Sequence, residues 1–152
     1  MHFDLKDVIT ISIAALGAVL GIINTWHALD QRRVRLRVVP KIAHPFVGGD
    51  FGTPMGCIEV VNLSAFPVSI SEIGFTIDGD PRKHKRLAIL EPLTSDRKPI
   101  ARTLEPRHGV TGYFDLNRME AGIQKAYVRT ECGEVAYGST PALKQIRRGA
   151  RA

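Results

Sequence analysis

Residues 8–29 of this chain, VITISIAALGAVLGIINTWHAL, hold 22 consecutive positions without a formal charge or a proline. A helix rising about 1.5 Å per residue needs roughly 20 apolar residues to cross a ~30 Å hydrocarbon core. The run meets that length, and Trp26 stands where an interfacial aromatic belongs, just ahead of the next charges. It therefore predicts a transmembrane helix. Two other readings compete. A cleaved signal peptide begins with a basic segment and ends at small residues, whereas MHFDLKD is charge-balanced and TWHALD offers no A-x-A site. A buried core helix normally keeps a polar face, and this run is apolar all round.

The flanks suggest a direction. Before the run Lys6 is the only Lys or Arg; after it come Arg32, Arg33, Arg35, Arg37 and Lys41. Under the positive-inside rule the long C-terminal part is expected in the cytoplasm and the N-terminal stub outside. Together with Trp26, those five cations form the expected membrane-interface set, where each contributes on the order of 1 kcal/mol against anionic headgroups.

Within the run, Thr10, Ala14, Gly17, Gly21 and Thr25 recur every three or four residues, with Ala18 and Asn24 flanking them, so they share one helix face. Gly17 and Gly21 make a GxxxG, which lets two backbones approach closely in lipid, and Asn24 or the threonines can add interhelical hydrogen bonds. Self-association through this stripe is the expectation. Against it, Gly and Ala are common in membrane helices, so GxxxG also arises by chance.

The rest of the chain reads as β-structure. RVRLRV at 33–38 alternates cation with apolar residue and places Val34, Leu36 and Val38 on one face of a half-buried strand. Its start so soon after the apolar run implies a short tether and a domain close to the bilayer. Pro40 and the Gly- and Pro-containing stretch that follows predict a loop over 44–56. CIEVVNL (57–63) and PVSISEIGFTI (67–77) predict two further strands. The second changes phase between Ile70 and Ile73, which a one-residue bulge near Ser71 and Glu72 would restore. DGDPRKHKR (78–86) reads as a turn with a cationic tip, RLAIL (86–90) as a short strand and 92–99 as loop. ARTLEPRHGVTGYFDL (101–116) and the pair KAYVRTE and EVAYGS, hinged at Cys132-Gly133, complete seven strand-like segments. NRMEAGIQ between them is weakly helical.

The expected organisation is an N-terminal stub (1–7), a transmembrane helix (8–29), an all-β antiparallel sandwich (30–140) and a flexible basic tail (141–152). About 110 residues suffice for a β domain to fold without disulfides or metal. The 152 residues leave no room for a two-domain enzyme, and 44% hydrophobic with 24% charged residues excludes a disordered chain.

The apolar helix, the basic first strand, the CIEVVNLSAFPVSISEIGFTI block, the TLEPRHGVTGYFDL block and the AYVRTECGEVAYGS hairpin together resemble a loose set of uncharacterised bacterial single-pass membrane proteins with an immunoglobulin-like domain. The resemblance covers nearly the whole chain, and its motifs are structural, so it implies a fold and a bacterial cytoplasmic-membrane location but no activity. It also poses the question of a bridge between Cys57 and Cys132, 75 residues apart. A cytoplasmic domain would keep both thiols reduced, and the core tryptophan of antibody-like domains is missing; the reverse orientation would favour the bridge.

Catalytic signatures are absent: no GxGxxG, P-loop, HExxH, GxSxG or CxxC occurs. The five histidines are scattered without metal-ligand spacing, and the aspartates of DGDP read as turn residues bonding their own backbone. No enzyme activity, metal or cofactor is expected. The sharpest exposed feature is the basic tip, where Arg82, Lys83, Lys85 and Arg86 are candidate anion contacts, although a solvated charged loop is the favoured reading and no aromatic stands in it to stack a base. Setting aside residues 1–29, with Lys6, Asp4 and Asp7, leaves 20 Lys and Arg against 13 Asp and Glu, an excess of +7. Expected partners are the bilayer and its anionic headgroups, a second copy through the helix, and an unidentified protein; nucleic acid ranks behind them.

Two functions fit these expectations. One is a membrane-anchored interaction or scaffold module without catalysis. The alternative is an oligomerising membrane effector, of the kind bacterial antiviral defence uses, whose β domain senses a ligand or partner and drives helix assembly.

Overall fold

The computed structural model describes residues 5–47, 50–77, 85–119 and 122–149. They divide into two units, Met1–Arg33 and Val34–Ala152.

The first unit is one helix, α1 (Leu5–Gln31), 27 residues long. It is long and apolar enough to cross a membrane, and none of its apolar window is buried against protein. Leu16, Ile22 and Trp26 are each more than 60% exposed, unlike the mostly buried side chains of a core helix. The helix ends in tightened bonds from Arg32 N to Leu29 O and from Arg33 N to Asp30 O, both 3.2 Å.

Among the described residues the second unit contains eleven strands, one 3-10 turn (Leu116–Arg118) and a short helix: β1 (Leu36–Ala43), β2 (Phe46–Val47), β3 (Asp50–Phe51), β4 (Met55–Asn62), β5 (Val68–Ile77), β6 (Arg86–Ala88), β7 (Leu93–Thr94), β8 (Arg102–Leu104), β9 (Gly109–Asp115), β10 (Ile123–Thr130), β11 (Val135–Gly138) and α2 (Ala142–Gly149). One sheet runs β1-β4-β9-β7; the other runs β11-β10-β5-β6, with β8 also paired to β5. All these pairs are antiparallel. A separate hairpin joins β2 and β3.

Alternation builds the core. In the first sheet Val38, Ile58, Val60, Val110 and Phe114 point inward; in the second Ile70, Ile73, Phe75, Ala126 and Val128 meet them. Phe75 and Phe114 pack edge to face, centroids 5.4 Å apart. Burying such a side chain contributes about 1.5–3 kcal/mol. The expected bulge is present: Arg129 pairs with Glu72 and Thr130 with Ile70, so Ser71 is the extra residue that keeps both halves of β5 facing the core.

Several boundaries differ from expectation. β1 begins at Leu36 and continues through Pro40, because on an edge strand the missing N–H of proline breaks no ladder bond. The expected 44–56 loop contains the β2–β3 hairpin, and the 92–99 loop contains β7. Most of the 78–86 turn, with Asp78, Asp80, Arg82 and Lys83, lies outside the described residues. The largest correction is the C-terminal segment. Rather than a flexible tail, residues 142–149 form α2, whose Leu143 and Ile146 are 2% and 0% exposed in the core. Its cations drew the sequence reading toward solvent, while two apolar residues three apart supply the buried stripe.

Candidate functional site

On α1 all seven stripe residues, Thr10, Ala14, Gly17, Ala18, Gly21, Asn24 and Thr25, are exposed. Nothing lies within 4 Å of where a Cβ would stand on Gly17 or Gly21, so the groove they leave is open. The hydroxyls are partly committed: Thr10 donates to Lys6 O and Thr25 to Gly21 O, each 2.8 Å. Asn24 is the stripe's one side-chain amide.

The cations at the start of the β unit separate along β1. Arg35 and Arg37 lie at its leading end, while Lys41 lies toward its far end and pairs with Glu59 at 2.7 Å. Of the candidate anion contacts, Lys85 and Arg86 are described, and Arg86 is engaged: its guanidinium stands 5.5 Å from the Tyr127 ring centroid. Tyr127 is fully buried on the outer face of the second sheet, beside Gly74, and donates to Glu72 Oε1 at 3.3 Å. Burial, reinforced by the Glu72 carboxylate, pushes its phenol up to about 12. No sequence pattern flagged this arrangement, because an outward tyrosine in a strand normally reads as half-exposed.

Neither cysteine is bonded; Cys57 is buried and Cys132 exposed. Cys57 pairs in register with Lys41 and Tyr113, on the face opposite the inward Ile58 and Val60. An inter-sheet bridge requires an inward thiol, so its outward direction removes the bridge on geometry, whatever the compartment. Burial pushes the Cys57 thiol up. At the β10–β11 turn, where Gly133 takes φ +91°, the Thr130 hydroxyl lies 3.1 Å from the Cys132 sulfur and holds that thiol below its usual value. Among the described residues no three His, Cys, Asp or Glu side chains are grouped to hold a metal ion.

One surface went unnoticed in the sequence. Between β6, on the edge of the second sheet, and β7, on the edge of the first, the chain crosses from sheet to sheet. The crossover lifts Leu90 to 85% exposure and Leu93 to 66%. Two open recesses flank it, of about 420 Å³ and 730 Å³, sharing the rim Ala88–Leu93. Glu91 and Arg97 hold positive φ of 54° and 56°, strained for residues with a side chain. Asp96, next to Arg97, is gripped by both terminal nitrogens of Arg102, whose hydrogen bonds hold its carboxyl well below the usual carboxylate range. The only sequence signal was an apolar pair, Leu90 and Leu93, around Glu-Pro in a segment otherwise read as loop.

Comparison of the chain with protein-family models, with curated proteins and with solved structures returns no match.

Proposed function

We propose that this chain is a single-pass membrane protein whose non-catalytic, immunoglobulin-like β-sandwich acts as an interaction or scaffold module at the cytoplasmic face of a bacterial inner membrane. The observation that carries the reading is α1: a 27-residue helix with an apolar window wholly uncovered by protein, followed after four residues by a separately cored β unit. An apolar surface of that length needs a nonaqueous surrounding.

The immunoglobulin-like assignment is supported by strand order. With β1, β4, β9 and β7 taken as A, B, E and D, and β11, β10, β5 and β6 as G, F, C and an added C′, the two sheets follow the immunoglobulin arrangement. Arg32, Arg33, Arg35 and Arg37 support a cytoplasmic domain, and an exposed free Cys132 suits a reducing compartment.

Carbonate extraction of membranes, with a membrane-impermeant maleimide applied to intact and to permeabilised cells, tests both parts. The chain is expected to stay in the pellet and Cys132 to label only after permeabilisation. Release into the supernatant, or loss of the N-terminal segment by cleavage, refutes the anchor; labelling of intact cells refutes the orientation.

The open Gly17–Gly21 groove favours one alternative, the oligomerising effector. In that case induced expression depolarises cells, and Gly17→Ile with Gly21→Ile abolishes the effect. A scaffold tolerates replacement of the helix by an unrelated one.

A further inference from the structure

We infer that the β6–β7 crossover is a self-complementary surface through which the β domains of two copies of this chain pair. The inference deepens the proposed interaction-module reading by naming the partner as a second copy.

Leu90 and Leu93 are the most exposed large hydrophobic side chains of the β unit among the described residues. They stand beside the 730 Å³ recess, whose floor includes the buried Ile100. A two-fold contact uses one patch on both partners, so that patch must carry both a projection and a hollow. This one does.

Its charges have the same property. Glu91 flanks Leu90 on one side of the recess, while Arg97 and Lys98 stand on its rim, and all three are exposed. Among the described residues none of the three side chains has an ion-pair partner. Two-fold pairing sets Glu91 of each copy against Arg97 and Lys98 of the other, repeating the attraction twice. Glu72 also lines the recess, but its carboxylate already accepts the Tyr127 hydroxyl.

Other occupants fit less well. An added peptide strand would have to pair with β6 or β7, edge strands of only three and two residues, the second directly preceded by Pro92. An anionic bilayer would meet Glu91 and Glu72 beside the leucines. A small ligand would be held in a recess open to solvent along one side, without the enclosure such sites use.

The test uses the full-length chain in detergent micelles with Gly17→Ile and Gly21→Ile, so that the α1 stripe contributes nothing and the result does not depend on the anchor. Donor and acceptor dyes are placed on Cys132, and energy transfer is followed against concentration. Glu91→Lys alone, and Arg97→Glu with Lys98→Glu, should each weaken pairing at least about tenfold, because like charges then face each other. Mixing the two variants should restore pairing to about the parent level, since each copy then meets opposite charge at both contacts. Protection of Cys57 from labelling verifies that each variant is folded. Transfer at background in every sample, equal transfer in every sample, or a mixture as weak as its components overturns the inference. Carbonate extraction reads the anchor separately, so the two failures are distinguishable.

Discussion

Asn62 ties the leading end of the β domain together, and its removal tests how much that end depends on one side chain. The residue is fully buried. Its Nδ2 donates to Phe66 O and Leu104 O, and its Oδ1 accepts from Ser64 N, each at 2.9 Å. Its backbone bonds the 105–108 bend as well, donating to His108 O and accepting from Arg107 N. Asn62→Ala keeps those backbone bonds and removes the other three. At about 1 kcal/mol net for each, the expected loss is roughly 3 kcal/mol, or about 12 °C in Tm for a domain of this size. The buried Cys57 thiol is the reporter: in a Cys132→Ser background, pulse labelling across a urea series reads the fraction of open domains.

Asn62→Asp sharpens the reasoning. It keeps the bond from Ser64 N but turns a carboxylate oxygen toward two carbonyl oxygens in a buried site. Burial and that repulsion raise the folded pKa above the ordinary ~3.9 of aspartate. A raised folded pKa means the protonated form is the one tolerated, so stability relative to wild type is greatest below about pH 4 and falls as pH rises through the folded value. Asn62→Ala should show no such slope. A loss under about 1 kcal/mol for alanine, or an aspartate variant whose deficit does not change with pH, would refute the hub.

Three further outcomes are expected. Thr130→Val should slow maleimide labelling of Cys132 near neutral pH by at least about twofold, because losing the hydroxyl that favours the thiolate raises the thiol pKa; an unchanged rate–pH profile contradicts this. Ile146→Ala should cost about 2–5 kcal/mol in urea unfolding, whereas a flexible tail would tolerate it without effect. Asp96→Asn should destabilise the domain at neutral pH, with a penalty that fades as pH falls below the unfolded carboxylate value near 3.9 and on through the depressed folded one; a penalty constant from pH 7 to pH 2 rules out the Arg102 grip as its source.

What could be read from the residues followed from period and length. The α1 span needed only an apolar count. The Ser71 bulge was visible because Val68 and Ile70 share one parity while Ile73 and Phe75 share the other, and a strand has one core face. Short edge elements escaped: β7 is two residues directly after Pro92, and two residues carry no periodicity. The fate of 142–149 escaped for another reason, since Lys144, Arg147 and Arg148 outweigh Leu143 and Ile146 in any local average, and only the tertiary surface under them decides. The crossover surface was least legible. An exposed Leu90 becomes informative only when a recess is found beside it, and that recess is made by residues from three separated stretches, 71–72, 88–94 and 97–101.

The arrangement also divides the positive charge of the β unit in a way that composition conceals. Arg35 and Arg37 lie where β1 begins, while Lys125, Lys144 and Arg147 lie on β10 and α2, the elements packed along β1, Arg147 reaching Gln124 O at 2.6 Å. Eight strand residues at about 3.3 Å each put these sets roughly 25 Å apart, some three Debye lengths at physiological ionic strength. A flat anionic surface meeting the domain end-on therefore interacts with one set and is screened from the other. Arg32 and Arg33 directly follow α1, so in the anchored reading the headgroups engage the leading set. A bilayer reaches both sets only if the domain lies on its side. In the anchored reading the described cations near β1 thus divide between its two ends rather than forming one membrane-facing patch.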